Sequence, residues 1–418
     1  MDILIPTIGS SGDVYPLLTL GEALSMRGHQ VTVIANQVFK EMAIECGLNF
    51  IQLGDLSSFE AVLSDPDLWH PQRAFNLIAR QFVLPSIRPL LREIEQFDPQ
   101  NTLVLACGFC FGARLAQEKW GYHTISLHLQ PAVFQSAYAP PKIGNLSFPD
   151  WLPVPVTKAA LVAMDRFVTD PVLAPELNLV REQLYLQPVQ RVFSHWMHSL
   201  EGVVGLFPEW FAAPQLDWPV NTELSGFIGN RNAGAPLSNE LEAFLEFGEA
   251  PVIFTAGTSM RFARSFFEES IEACRILDIR GVFITSDNTQ IPDDLPDRIL
   301  HVPFAPFQTL LEKSLAIVHH GGIGTLAQAL KAGIPQLITP YSHDQPDNAE
   351  RIVQLGAGYR IAPKQYQGKL AAKKIANLLD SKEIRRMTQV IAGWIDFSES
   401  LISTCRLIEM HLPDSSKN

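Results

Sequence analysis

The sequence predicts an α/β protein with parallel sheets, built as two successive series of alternating strands and helices. Three observations carry that reading. The chain opens with a strand, a glycine turn, a helix and a second strand. Short apolar runs then alternate with helical patterns through both halves. A Gly/Asn cluster, Ser225–Pro236, separates the two series. With 418 residues, the chain has room for two or three domains. Its 47% hydrophobic and 18% charged residues allow a large core and exclude disorder, collagen and coiled coil as descriptions of the whole.

In chain order, Ile3–Thr7 is the first strand, followed by Ile8-Gly9-Ser10-Ser11-Gly12-Asp13. The pattern Leu17, Leu18, Leu20, Ala23, Leu24 is helical and stops near Gly28. Gln30–Ala35 is the second strand and completes a βαβ unit. Thr102–Ala106 leads into the helix Phe111–Trp120, and His123–Leu127 follows Gly121. The second series holds strands at Pro251–Thr255, Gly281–Thr285, Leu300–Val302, Leu315–His319 and Gln336–Thr339. Such alternation implies parallel sheets covered on both faces. Gln130–Pro155 is rich in Pro and aromatic residues without periodicity and reads as a long functional loop.

Net charge is −12 and no Lys/Arg-rich run is present, so a nucleic-acid partner is not expected. The N-terminus lacks a basic segment followed by an apolar one. The longest uncharged stretch, between Lys119 and Lys142, carries Gln130, Pro131, Gln135 and two histidines and does not read as a spanning helix. Five cysteines, an odd number, fit a reducing compartment. The expected location is the cytoplasm.

The strongest local signal is Val318–Leu330, which runs from a strand through His319-His320-Gly321-Gly322-Ile323-Gly324-Thr325 into a helix. Glycines let a ligand approach the backbone, and free N–H groups at a helix N-terminus favour an anion. Thr325 adds a hydroxyl, and His320 a donor that can become cationic. The combination fits a diphosphate; a tight turn with a capping Thr is the plainer alternative. Downstream, Asp344 and Gln345 lie between a strand and the expected helix Asn348–Leu355. A carboxylate and an amide side by side suit bidentate hydrogen bonding to sugar hydroxyls, while Asp344 or Asp347 also reads as an N-cap.

His319–Thr325, followed by Pro335, Pro340 and Asp344-Gln345, resembles the donor signature of the family 1, UDP-glycosyltransferase-like enzymes. Gly9-Ser10-Ser11-Gly12-Asp13-Val14-Tyr15-Pro16 resembles the acceptor-side motif of their bacterial and sterol branches. Asp65–Trp69, Trp196–Ser199, Gly202–Phe211, Pro214–Pro219 and Asp344–Arg351 are similar to the rhamnosyltransferase chains of rhamnolipid synthesis. The resemblance implies the GT-B fold, two Rossmann-like doubly wound domains facing across a cleft, and an inverting O-glycosyltransferase.

Carried over, the family makes Asp13 the general base for the acceptor hydroxyl. Ser10, Ser11 and Gly12 would line the sugar diphosphate from the N-terminal side, although sterol enzymes often carry Arg where Ser11 stands. His320, Gly322, Gly324 and Thr325 would hold the diphosphate, and Asp344 and Gln345 the sugar. Thr258 matches the family's Gly-Ser/Thr turn near the phosphate. Phe304 stands where a base-stacking Trp is found in related plant enzymes, and Phe307 lacks the amide of their Gln. A helix start stabilises the Asp13 carboxylate and weakens it as a base, whereas burial strengthens it.

Gly9-Ser10-Ser11-Gly12 lacks the acidic residue of an NAD site, because Ala35-Asn36 ends the second strand. Cys107-Gly108-Phe109-Cys110 has redox spacing but reads as two small apolar residues. His195–His198 offers two histidines without a third ligand. Asp293-Asp294 reads as a solvated loop, and no Gly-x-Ser-x-Gly elbow is present. No cofactor and no essential metal are expected.

The expected organisation is an acceptor domain over 1–226, a donor domain over 237–395 and a returning C-terminal segment over 396–418. The last has an apolar pattern at Ile395, Phe397, Leu401, Ile402, Ile408 and Leu412. The expected donor is dTDP-rhamnose or UDP-glucose. The expected acceptor is lipophilic, a hydroxy fatty acid, sterol or polyketide, and favours transient contact with a membrane surface. A non-catalytic sugar-nucleotide-binding protein and a nucleotide-sugar epimerase are the alternatives.

Overall fold

The structure, a computed structural model, describes residues 1–142, 144, 147–149, 151–231 and 234–412. Parts of the Gln130–Pro155 loop, the Ser225–Pro236 cluster and the 396–418 segment therefore lie outside the described residues. The chain forms two compact units. The first holds Met1–Leu68, Gln72–Ile228 and Phe397–Asn418; the second holds Trp69–Pro71 and Gly229–Asp396. The placement of Trp69–Pro71 with the second unit has no counterpart in the order of the sequence. Its basis is local: the Trp69 ring lies 5.5 Å from His343 and 6.5 Å from Tyr341.

The first unit carries a seven-stranded sheet: β1 (Asp2–Pro6), β2 (Gln30–Ala35), β3 (Asn49–Gln52), β4 (Thr102–Cys107), β5 (His123–His128), β6 (Gly202–Gly205) and β7 (Thr222–Leu224). The order is β3-β2-β1-β4-β5-β6-β7, with every pair parallel. The second unit carries β8 (Val252–Thr255), β9 (Gly281–Ile284), β10 (Ile299–Val302), β11 (Ala316–His319), β12 (Gln336–Ile338) and β13 (Gly358–Arg360). Its order is β10-β9-β8-β11-β12-β13, again all parallel.

The continuous apolar runs follow from burial on both faces. In β8 and β11, Phe254 and Val318 pack into one cluster, and Ile253 and Ile317 into another. In both sheets the strand order reverses between neighbours, at β1/β4 and at β8/β11. The carboxyl ends of strands at such a switch point open a crevice, because the connections leave in opposite directions. Asp13 follows β1, and His320 follows β11.

The C-terminal helix Phe397–Met410 docks within the first unit. Arg27 pairs with Glu409 at 2.6 Å, and His29 approaches the same carboxylate at 3.3 Å. The buried side of this helix is Thr404, Cys405 and Ile408, while Ile402 is exposed. The apolar pattern read from the sequence thus overstates the docking face. Ile395 belongs elsewhere, since its carbonyl accepts from Lys331 Nζ at 2.7 Å inside the second unit.

Trp196 is a structural residue of the first unit. Arg114 and Arg181 lie over its ring at 5.7 and 5.5 Å, and its Nε1 donates to Glu118 at 2.7 Å. Glu118 also pairs with both arginines.

Candidate active site

In the first unit the turn after β1 builds a carboxylate site. Gly9 has φ +145°, and a Cβ there would collide with the Asp13 carboxylate. Only glycine lets the chain pass so close. Ser10 N and Oγ both donate to Asp13 Oδ2, at 2.8 and 3.2 Å, closing a capping box at the start of the helix Ser11–Met26. Oδ1 has no hydrogen-bond partner among the described residues. Burial raises the Asp13 pKa and outweighs the lowering effect of the Ser10 hydrogen bonds. The competition left open by the sequence is therefore decided by burial, toward a stronger base. Ser11 is half-buried and Gly12 exposed in the first turn.

Cys107 ends β4, next to β1, and interacts electrostatically with Asp13. Burial pushes its thiol up to about 12 and the Cys110 thiol well above its ordinary value. Cys110 Sγ donates to the Pro6 carbonyl. Both thiols stay protonated, so the CxxC spacing has no thiolate to offer. His198 does not meet His195 around a metal. It meets His128 at the end of β5, with Nδ1 3.0 Å from His128 Nε2. Asp293 and Asp294 lie on an exposed loop.

In the second unit the loop after β11 is held by side chains the sequence reading passed over. Gly321 N donates to His319 Nδ1 at 3.1 Å, which fixes the proton of His319 on Nε2 for its 2.9 Å contact with Gln336 Oε1. Gly321 has φ +96°, and a Cβ there would fall 2.8 Å from Ile338 Cγ2. Gly322 is the N-cap of the helix Ile323–Ala332; a Cβ on it would lie 2.5 Å from His320 Nε2. Gly257, after β8, would put a Cβ 2.7 Å from the same ring. The His320 imidazole thus occupies space that two glycines vacate. Gly324 faces open space, with no atom within 4 Å of an added Cβ, and Thr325 is half-buried beside it.

His320 Nδ1 is buried and has no hydrogen-bond partner among the described residues. Burial, with His319 as a neighbour, pushes the His320 pKa down to about 3. In the protein alone the ring is neutral at pH 7, not the cation the sequence reading allowed. Removal from water disfavours the charge, and among the described residues no acid opposes that effect.

The Asp344-Gln345 turn is tied to this loop. Asn348 Nδ2 donates to the Gly321 carbonyl at 2.9 Å and to Asp344 Oδ2 at 2.6 Å. Gln345 Oε1 accepts from Tyr341 N and Ser342 N, at 2.8 and 3.3 Å. The helix starts at Gln345, three residues before the expected Asn348, with Asp344 as its N-cap residue but without a side-chain cap. His343 sits at φ +61°, an uncommon conformation for a non-glycine residue, and turns the chain into this helix. Thr258 is exposed on the β8 loop, and Phe304 is 66% exposed after β10. The structure therefore brings two helix starts together, the glycine loop with His320 at one and Asp344 with Gln345 at the other, with Asn348 as the strut between them. Its amide side chain carried no motif by itself.

Two family models match the chain. The glycosyltransferase family 28 N-terminal domain covers residues 3–88, and the erythromycin biosynthesis protein CIII-like C-terminal domain covers residues 275–393. The O-mycaminosyltylonolide 6-deoxyallosyltransferase of Streptomyces fradiae is 26% identical, over 98% of this chain and 97% of its own. The sterol 3-beta-glucosyltransferase UGT80A2 of Arabidopsis thaliana is 23% identical over 100% of this chain and 67% of its own. Among solved structures, the glycosyltransferase VinC in complex with dTDP superposes with a TM-score of 0.69 and 20% identity, covering 99% of both chains.

Fold and matches together define the molecule as a GT-B glycosyltransferase, an enzyme that transfers hexose units. The chain is similar over nearly its whole length to antibiotic and sterol glycosyltransferases, and its two family matches are to glycosyltransferase domains.

Proposed function

We propose that the enzyme moves a hexose from dTDP-rhamnose or UDP-glucose to a hydroxyl of a lipophilic acceptor, with inversion at the anomeric carbon and without a metal. The observation that carries this reading is the helix start at Gly322–Thr325. Its free N–H groups, the unpartnered His320 Nδ1 and the adjoining Asp344 carboxylate together suit a sugar diphosphate. The named glycosyltransferase bound to dTDP supports a diphosphate donor by kinship. The antibiotic and sterol enzymes support an apolar acceptor in the same way.

In this mechanism Asp13 Oδ1 takes the proton of the acceptor hydroxyl as its oxygen attacks the anomeric carbon. The bond from that carbon to the diphosphate oxygen breaks on the opposite face, and the leaving group takes the electron pair. The helix N–H groups and His320 meet the charge that develops there without reorganising. Ser10 holds the carboxylate so that one oxygen stays free. Gly324 and Thr325 line the diphosphate, Asp344 and Gln345 the sugar, and Thr258 the phosphate edge. Phe304 offers its exposed ring to the base.

Thermal shift with UDP-glucose and with dTDP-rhamnose identifies the donor, since only a ligand that binds the folded state raises the melting temperature. Turnover by Asp13→Asn is expected to fall about 10²- to 10⁴-fold with donor binding intact. Retained turnover contradicts the base assignment. Wild-type protein that binds a donor yet glycosylates nothing across a broad acceptor panel contradicts the transferase reading. Release of nucleotide only when acceptor is added separates transfer from epimerisation.

A further inference from the structure

The carboxyl edge of the first sheet holds a buried polar group that the proposed chemistry leaves unused. His128 ends β5 and is 1% exposed; His198 is 4% exposed. Their rings share one hydrogen bond, between His128 Nε2 and His198 Nδ1, and His128 Nδ1 has no partner among the described residues. Phe134 packs edge-on to His128 at 5.0 Å and stacks on Trp218 at 4.4 Å, so the surroundings are aromatic. A buried imidazole nitrogen without a hydrogen bond costs on the order of 1–3 kcal/mol, and a native protein retains such a group where something outside the chain satisfies it.

Its position indicates what that is. β1, β4 and β5 are consecutive in the sheet; the turn after β1 leads to Asp13 in the first turn of the helix Ser11–Met26, β4 ends at Cys107 beside Gly108, and β5 ends at His128. Gly108 is half-exposed, and a Cβ on it would fall 3.3 Å from His128 Nδ1 and 3.2 Å from the Met197 methyl. The absent side chain leaves beside the buried Nδ1 room that a larger residue would take, and the flexible thioether of Met197 borders that room. Two strand spacings, about 10 Å, separate β1 from β5 and set the order of distance between the groups that follow them.

Resting on the assignment of Asp13 as base, we infer that His128, positioned by His198, recognises a second oxygen function of the acceptor about 10 Å from the hydroxyl that is glycosylated. The acceptor class is thus a lipophilic molecule with two separated oxygen groups. The ring pair presents Nδ1 as donor or acceptor according to its tautomer, so a hydroxyl, carbonyl or carboxyl oxygen each fits.

The test uses three eight-carbon compounds with the same primary hydroxyl. They are 1,8-octanediol, 8-hydroxyoctanoic acid and 1-octanol; extended, the first two place a second oxygen at about the required distance. Wild type is expected to favour at least one of the two oxygen-bearing compounds over 1-octanol by about tenfold or more in kcat/KM. Whichever leads tells a hydroxyl from a carboxyl partner. In His128→Leu that preference falls to near unity while 1-octanol is still glycosylated. Gly108→Ala, which sets a methyl 3.3 Å from His128 Nδ1 without replacing either histidine, lowers the preference too and serves if the buried substitution fails to fold. Equal use of all three compounds by wild type overturns the inference, as does an undiminished preference in both variants. Imidazole ¹⁵N NMR of the full chain reads the site without turnover. A shift of His128 Nδ1 with the diol or hydroxy acid but not with 1-octanol supports the inference even if no compound is glycosylated, a result that would fault the transferase reading alone. No shift with either oxygen-bearing compound at saturation overturns it.

Discussion

Gly324→Ala separates a binding role of the helix start from a folding role. An added Cβ at Gly324 meets no atom within 4 Å, and the residue has no positive φ. Alanine at such a position stabilises by about 0.4–1 kcal/mol, because the unfolded chain loses freedom. For a unit of this size that raises the melting temperature by roughly 1–4 °C. If a diphosphate sits over the first turn, the same methyl stands where the phosphate approaches. Displacing one charge-assisted hydrogen bond costs about 1.5–3 kcal/mol, or 10- to 150-fold in affinity. Gly321→Ala is the contrast. Its φ of +96° and its 2.8 Å approach to Ile338 Cγ2 demand strain and displacement, together about 2–5 kcal/mol. That variant is expected to lose roughly 4–20 °C. Calorimetric titration with dTDP and UDP, alongside thermal melts, reads both effects. If Gly324→Ala melts higher yet binds both nucleotides within twofold of wild type, the diphosphate does not lie on this turn and the reasoning fails.

Acid is expected to weaken both units. Burial holds His198 and His320 at about 3 and His319 at about 4, and lowers His128 well below its ordinary value. These rings are neutral when folded and gain protons first when unfolded. Their contribution is complete above about pH 6.5 and is lost as pH falls toward 3, at up to about 1.4 kcal/mol per pH unit for each group. Urea midpoints measured at pH 7 and pH 5 check the sign, and equal midpoints would contradict it. Glu118→Gln removes the charge shared by two buried arginines and leaves one acceptor oxygen where Arg114, Arg181 and Trp196 Nε1 now share two. A loss of about 2–3 kcal/mol is expected, less than for a fully buried pair because Glu118 keeps some exposure; chemical denaturation measures it. Turnover is expected to persist after dialysis against EDTA, and recovery only on adding a divalent ion would refute the metal-free mechanism.

Much of this protein is decided locally. Continuous apolar strands such as Leu103–Leu105 are buried on both faces and can pack only in a covered parallel sheet. Glycines next to a strand end, as at Gly9 and Gly321, mark close backbone approaches whatever surrounds them. β3, β7 and β13 escaped the sequence reading because they are edge strands with mixed, partly exposed residues, and β6 because Gly202-Val203-Val204-Gly205 holds only two apolar side chains. Tertiary structure alone settled the chemistry of single groups. Whether Asp13 gains or loses basicity depends on the water excluded around it, and His320 is neutral for the same reason. His198 meets His128 across seventy residues, and Asn348 reaches Gly321 across twenty-seven. Backbone conformation follows from neighbouring residues, whereas solvation and pairing follow from which distant segments the fold brings together.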